Sequence, residues 1–136
     1  MFPRQLISSG SPWELTVGYS RAVRVGKRLF VSGTAPQYDD GSCPEDPAEQ
    51  ARRCLEIIGI ALADAGSSFS DVVRTRMYLV SADDFGPIAA VHGEVFHDIR
   101  PANTTVIVAG LLDSRWKVEI EVEAVVVGER EPSNRG

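Results

Sequence analysis

The sequence of 136 residues is poor in the side chains that bind metals, with only two cysteines and two histidines. Cys43 and Cys54 form no Cys-x-x-Cys pair, and Cys54 falls on the apolar stripe of a predicted helix. His92 and His97 are five positions apart on a second predicted helix, so they do not share a face. Without a His-Glu-x-x-His pattern or another set with ligand spacing, the sequence predicts no metal site.

The chain also lacks an excess of basic residues and any long apolar run. Lysine and arginine number 14 against 19 acidic residues, a formal net charge of −5. Such a chain does not suit nucleic-acid binding, which depends largely on neutralising phosphates. No segment approaches the ~18 apolar residues of a membrane helix, and the first ten residues lack the apolar run of a signal peptide. We therefore expect a cytoplasmic protein without nucleic-acid or membrane partners.

Two common catalytic loops are missing as well. No Gly-x-Gly-x-x-Gly or Gly-x-x-x-x-Gly-Lys-Ser/Thr sequence is present to hold phosphates, and no Gly-x-Ser-x-Gly turn is present to expose a nucleophilic serine. The composition is that of a globular chain, 43% hydrophobic and 24% charged. Its length suits a single domain, which we place at residues 1–127, followed by a polar tail at 128–136.

Periodicity and turn residues predict an α+β fold with the element order β-β-α-β-α-β-β. Asp46, Pro47 and Glu49 form a strong helix start, and Gly66 closes that helix. A second amphipathic helix follows 81–84 and ends before Arg100-Pro101. Both helices are expected on one face of a mixed sheet. The predicted strands are 21–25, 28–32, 71–80, 104–108 and 116–127.

Strand 71–80 alternates, and this alternation assigns its side chains to two faces. One face is predicted to carry Val73, Thr75, Met77 and Leu79, and the other Val72, Arg74, Arg76 and Tyr78.

The last strand carries the strongest chemical pattern. Glu119, Glu121 and Glu123 alternate with apolar residues, so they share one face at about 6.6–6.8 Å spacing. Neighbouring carboxylates repel, and one that is partly buried should have a raised pKa suited to proton transfer. The alternative is a solvated strand face whose charge is balanced by Arg74 and Arg76 of an adjacent strand.

Three groups of segments resemble the RidA/YjgF family, whose older label is endoribonuclease L-PSP. The first comprises Gly18-Tyr19-Ser20, Val25-Gly26 and the run 29–36, Leu-Phe-Val-Ser-Gly-Thr-Ala-Pro. The second lies within 50–75 and ends in Asp-Val-Val-Arg-Thr. The third runs from Arg100-Pro101 through the glutamate strand. Together they span about residues 17–127 in the family's order.

This resemblance implies a chorismate-mutase-like fold and a homotrimer whose sheets line a central barrel. Clefts between subunits would bind small carboxylate ligands, and the implied reaction is hydrolysis of reactive imines to a keto acid and ammonia, with no cofactor. By the same resemblance, Glu121 would direct the attacking water. Tyr19, Ser32 and Gly33 would contact the substrate.

Position 103 departs from the family pattern. The family's deaminases carry an arginine there that pairs with the substrate carboxylate, whereas this chain has Asn103. We therefore expect an arginine-lacking subgroup with weakened activity on 2-imino acids. Arg115 is a candidate replacement cation and Trp116 a candidate aromatic wall. The alternative for this pair is a surface arginine in a turn beside a core tryptophan.

Three functions follow from these residues. The first is a deaminase-type enzyme acting on an imine, an enamine or a related C–N bond. The second is a trimer that binds a metabolite, or stabilises a partner protein, without turnover. The third is RNA cleavage, which is implied only by the family's older label and disfavoured by the charge of −5.

Overall fold

The computed structural model describes residues 3–127, in which six strands form one sheet with the order β1-β2-β3-β6-β4-β5. The predicted tail at 128–136 lies outside the described residues. The strands are β1 (Arg4–Ile7), β2 (Ala22–Val25), β3 (Arg28–Thr34), β4 (Val72–Leu79), β5 (Ala102–Ile107) and β6 (Val118–Val125). All neighbouring pairs are antiparallel except β4 and β5, which are parallel. The mixed α+β fold is therefore confirmed.

Two helices, α1 (Pro47–Asp64) and α2 (Phe85–Phe96), pack on one face of this sheet. Both bury their apolar stripes, α1 through residues such as Ile58 and Leu62 and α2 through Ile88 and Phe96. The core lies between these stripes and the inward-facing side chains of the sheet. Within residues 3–127, neither helix has the length and apolar character that crossing a bilayer demands.

The structure adds one strand to the predicted order. β1 pairs with the β2 edge, and Ile7 is its only fully buried position. Four residues with one buried side chain present too little alternation for a sequence pattern to reveal. This strand forms because β2 supplies hydrogen-bond partners at the sheet edge.

The predicted face assignment of β4 is wrong at its first two positions. Val72 shares the buried face with Thr75, Met77 and Leu79, whereas Val73 is exposed, so the two valines lie on each other's predicted face. The register between β4 and β6 shifts between Val72 and Arg74. A bulge inserts one residue into the alternation, so the side chains before it change faces.

The start of α1 confirms its sequence signature. The side chain of Asp46 accepts a hydrogen bond from the backbone N–H of Glu49 at 3.0 Å, and Pro47 begins the helix. At the other end Gly66 adopts φ 79°, the left-handed conformation that glycine permits at little cost.

We predict that Asp46→Ala lowers the free energy of unfolding by about 1 kcal/mol, because it removes this cap. Urea unfolding followed by circular dichroism measures the change. Glu45→Ala is the matched control, since it removes a neighbouring exposed carboxylate that caps nothing. Equal losses in the two variants would contradict the capping role.

Candidate functional site

The three glutamates of β6 lie in a row on the sheet face opposite the helices. Their side chains are partly exposed, whereas the alternating residues Val118, Ile120, Val122 and Ala124 are buried. The predicted alternation of this strand is thus confirmed. Across the ladder to β4, Tyr78 is opposite Glu119, Arg76 opposite Glu121 and Arg74 opposite Glu123.

These cross-strand neighbours balance the charge of two of the glutamates. Arg74 Nε lies 3.4 Å from Glu123 Oε2, and Arg76 Nη1 lies 3.4 Å from Glu121 Oε2 and 3.6 Å from Glu123 Oε1. Tyr78 donates its hydroxyl to Glu121 Oε1, and this hydrogen bond raises the pKa of Tyr78. The charge-balance interpretation is confirmed for Glu121 and Glu123. Glu121 is the carboxylate held by both an arginine and a tyrosine.

A β-bulge in β3 faces Glu121. Val31 pairs with Val122 and Thr34 with Ile120, so Ser32 and Gly33 together oppose the single residue Glu121. Ser32 Oγ donates to the carbonyl of Ser20 at 2.7 Å, which ties the bulge to the residue after Tyr19. The structure therefore brings Ser32, Gly33 and Glu121 together, and Tyr19 directly precedes the residue that holds the bulge.

Glu119 extends over the same bulge. A Cβ built on Gly33 would lie 2.5 Å from Glu119 Oε2, so any larger residue at position 33 would displace this carboxylate. Burial raises the pKa of Glu119, the charge of Glu121 raises it further, and Arg21 opposes both effects. The raised pKa expected for a partly buried member of the row thus falls on Glu119, which suits it to proton transfer.

Asn103 makes its hydrogen bonds away from the glutamate row. Its Nδ2 donates to Thr75 Oγ1 at 2.9 Å, and its Oδ1 accepts from Thr105 Oγ1 at 2.9 Å. Thr75 Oγ1 in turn lies 2.8 Å from His92 Nε2 on α2. Within one chain these contacts join β5, β4 and α2, and the substrate-binding role of Asn103 stays a prediction.

Arg115 and Trp116 lie in the loop before β6. Arg115 donates from Nε and Nη2 to the Asp113 carboxylate at 3.0 and 2.9 Å, and from Nη1 to the carbonyl of Gly41 at 3.0 Å. This pairing lowers the pKa of Asp113 to about 2. Trp116 Nε1 is buried without an acceptor among residues 3–127. In this structure Arg115 stabilises the loop before β6 through these hydrogen bonds. The ligand-binding roles of Arg115 and Trp116 stay predictions.

Glu119 was predicted only as one member of the glutamate row, and Arg21 and Tyr78 were not predicted at the site. Tyr78 shares the predicted face with Arg74 and Arg76, so the expected pairing of this strand with the glutamate strand could have predicted its contact with a glutamate. Arg21 follows Tyr19-Ser20 directly, but its contact with the bulge depends on tertiary folding. Its Nη2 donates to the carbonyls of Ser32 and Gly33, both at 2.7 Å.

Comparisons with known proteins agree with this architecture. A family model described as Endoribonuclease L-PSP matches residues 12–126. The crystal structure of Rv2704 from Mycobacterium tuberculosis, a member of the YjgF/YER057c/UK114 family, superposes with a TM-score of 0.84 at 41% identity, covering 91% of this chain and 100% of that one. E. coli TdcF, crystallised with bound serine, gives a TM-score of 0.75 at 29% identity, covering 88% of this chain and 92% of that chain.

A curated relative adds a named activity. The 2-iminobutanoate/2-iminopropanoate deaminase of Rattus norvegicus is 31% identical over 126 residues, which cover 91% of this chain and 90% of the relative.

We predict that Glu119→Gln stabilises the protein increasingly as the pH rises from 4 to 7. The folded state holds the Glu119 proton more tightly than the unfolded chain does, so the wild type loses stability as the pH rises from the ordinary pKa of 4.5 through the raised value. Glutamine does not titrate, so the variant does not lose this stability as the pH rises. Urea unfolding at fixed protein concentration and several pH values measures the difference.

Glu123→Gln is the control, because it removes a carboxylate that pairs with Arg74 and Arg76. It should not be more stable than the wild type at pH 7. A difference between Glu119→Gln and the wild type that is constant over this pH range would show that burial does not raise the pKa of Glu119.

Proposed function

We propose, on the premise that this chain belongs to the endoribonuclease L-PSP family, also called the RidA/YjgF family, that it hydrolyses a small imine or enamine. The observation that carries the proposal is the position of Glu121. Its carboxylate is held by Tyr78 and Arg76 and faces the Ser32–Gly33 bulge on an otherwise uncovered part of the described sheet. A fixed carboxylate beside such an irregular backbone segment can orient a water molecule.

The proposed reaction consumes one water and releases ammonia. Glu121 accepts a proton from water as the water oxygen bonds to the imine carbon, and the electron pair of the C=N bond moves to nitrogen. Nitrogen takes up one proton to become an amine and a second proton to become a leaving group, so the C–N bond breaks with release of ammonia. Loss of the remaining hydroxyl proton then leaves the carbonyl product and balances the protons. Glu119 suits the donation to nitrogen, because burial raises its pKa.

The proposed substrate carries a carboxylate. The rat relative is named as a deaminase of 2-imino acids, and TdcF was crystallised with serine. Asn103 lacks the charged fork that the family resemblance expects at its position. Loss of such a pair costs roughly 1.5–3 kcal/mol, or ~10–100-fold in binding. We therefore propose that simple 2-imino acids are weaker substrates here than larger imines that make additional contacts.

We also propose that the uncovered sheet face is buried between subunits of a homotrimer, with the ligand clefts at the subunit boundaries. Besides the glutamate row, this face carries Phe30, which is 38% exposed, and Val106, which is 40% exposed. Exposed apolar side chains beside paired charges are typical of an interface. The cytoplasmic location of the protein stays a prediction.

We predict that sedimentation equilibrium gives three times the chain mass of 14.8 kDa. Phe30→Glu should shift the protein to smaller species, because it adds a carboxylate opposite Glu123. Ile60→Glu, an exposed change on the helix side, should leave the mass unchanged. A wild-type monomer, or a Phe30→Glu variant with the wild-type mass, would count against the proposed interface.

We predict that Glu121→Gln lowers kcat by roughly 10²–10⁴-fold, the range for loss of a general base. The assay follows the decay of 2-iminopropanoate and of larger imines generated in situ. Glu123→Gln is the matched control on the same strand face and should lose less than tenfold. Decay at the uncatalysed rate for every imine, or equal rates in Glu121→Gln and the wild type, would refute the enzyme proposal.

The second candidate is a trimer that binds a metabolite without turnover. Asn103 favours it, because this side chain hydrogen-bonds to Thr75 and Thr105 and carries no charge for a substrate. A thermal shift with a small carboxylate, combined with unchanged rates in Glu121→Ala, would favour this function. Ribonuclease activity has only the family's label behind it.

A further inference from the structure

A groove of about 730 Å³ runs between β1 and α1, away from the glutamate row. Its lining includes Ile57 and Ile60 of α1, Ser8, and Arg21, which also contacts the Ser32–Gly33 bulge. Pockets of this volume hold small molecules, and this groove offers a ligand both apolar and charged side chains. The chemistry of the groove therefore depends on what Arg21 offers to a ligand.

The guanidinium of Arg21 is only partly satisfied by the protein. Nη2 donates to the carbonyls of Ser32 and Gly33, both at 2.7 Å. Nε is buried and has no acceptor among residues 3–127, and Nη1 makes no hydrogen bond to those residues. Burial lowers the pKa of this arginine, so its environment disfavours the charge that it carries.

Five of the other arginines have a close carboxylate partner, whereas the charges of Glu14 and Glu119 act on Arg21 only from beyond 4.0 Å. Within residues 3–127 no carboxylate oxygen lies within 4.0 Å of its guanidinium, and Glu14 instead accepts from the N–H and Oγ of Ser9 at 2.9 and 2.6 Å. A buried cation without a partner is costly, and an anion placed beside it recovers part of that cost. Carboxylates do pair with Arg52, Arg53, Arg74, Arg76 and Arg115.

We propose that the β1–α1 groove binds a small monocarboxylate, with the carboxylate on Arg21 and the apolar chain against Ile57 and Ile60. Asp39, Arg53 and Asp64 also line the groove, and Arg53 is already paired with Asp39 and Glu56. A second acidic group on the ligand would therefore meet carboxylates without gaining a second cation. Ser8 also lines the groove, where its hydroxyl hydrogen-bonds to the Glu14 carboxylate and accepts from the N–H of Gly10 at 3.0 Å. This site goes beyond the proposed hydrolysis and requires no turnover.

The test compares hexanoate with hexanamide, which have the same chain length and differ in charge. Titration of the full chain, followed by NMR, should show hexanoate binding ~10–100-fold more tightly, the range for a charge-assisted contact. The shifts should include the Nε–H signal of Arg21 and the backbone amides of Ser8 and Ile57.

Three variants make the assignment specific. Arg21→Gln should bind hexanoate no better than hexanamide. Ile60→Glu adds a negative charge to the groove at a side chain that is 45% exposed, so it should fold normally and lose hexanoate binding. Arg28→Gln is the control, because it removes an exposed arginine that contacts Phe30 outside the groove.

Equal affinity for the two probes, no binding of hexanoate at 10 mM (~10⁻² M, beyond the range of a specific weak site), or wild-type binding by Ile60→Glu would overturn the proposal. Glu121→Gln separates it from the proposed function, since that variant should bind hexanoate like the wild type. A protein that binds hexanoate at Arg21 but hydrolyses no imine would refute the hydrolysis proposal alone.

Discussion

The alternation of β6 decides which of its side chains enter the core and which form the glutamate row. This strand lies between β3 and β4, so its backbone groups are paired on both sides and its register cannot slip without exchanging its two faces. A shift by one residue would bury Glu119, Glu121 and Glu123 beneath α1 and expose Val118, Ile120 and Val122. Unpaired buried carboxylates are far more costly than exposed valines, so the core and the glutamate row specify each other.

The bulge at Ser32–Gly33 gives Glu119 and Glu121 different surroundings. It places two residues against Glu121, and the missing side chain of Gly33 leaves room for the Glu119 carboxylate. The two carboxylates consequently differ in environment: one is held by Arg76 and Tyr78, and the other is more buried. Different environments for neighbouring acids are how a site divides proton acceptance from proton donation.

Apolar stripes predict both helices and the common face of the glutamates, because these elements pack against the core on one side. β5 is exposed or half-buried along its length, and its β-branched residues predict it instead. β1 was missed since it buries one side chain, and Val72 and Val73 were assigned to the wrong faces since a bulge leaves no mark in a run of valines. For the site, family resemblance supplied Tyr19, Ser32, Gly33 and Glu121. The contacts of Arg21 with the bulge carbonyls join positions 11 and 12 residues apart, and no local pattern encodes them.

Asn103 takes part in a network of neutral hydrogen-bonding groups. Its amide accepts from Thr105 and donates to Thr75, and an arginine could not accept because a guanidinium has no acceptor atom. With Thr75 Oγ1 receiving the Asn103 proton, the threonine hydroxyl is free to donate to His92 Nε2, which requires a neutral imidazole. Burial lowers the pKa of His92 and favours the same form. The junction of β5, β4 and α2 is therefore a neutral network suited to asparagine, and any cation that meets a substrate must come from elsewhere in the protein.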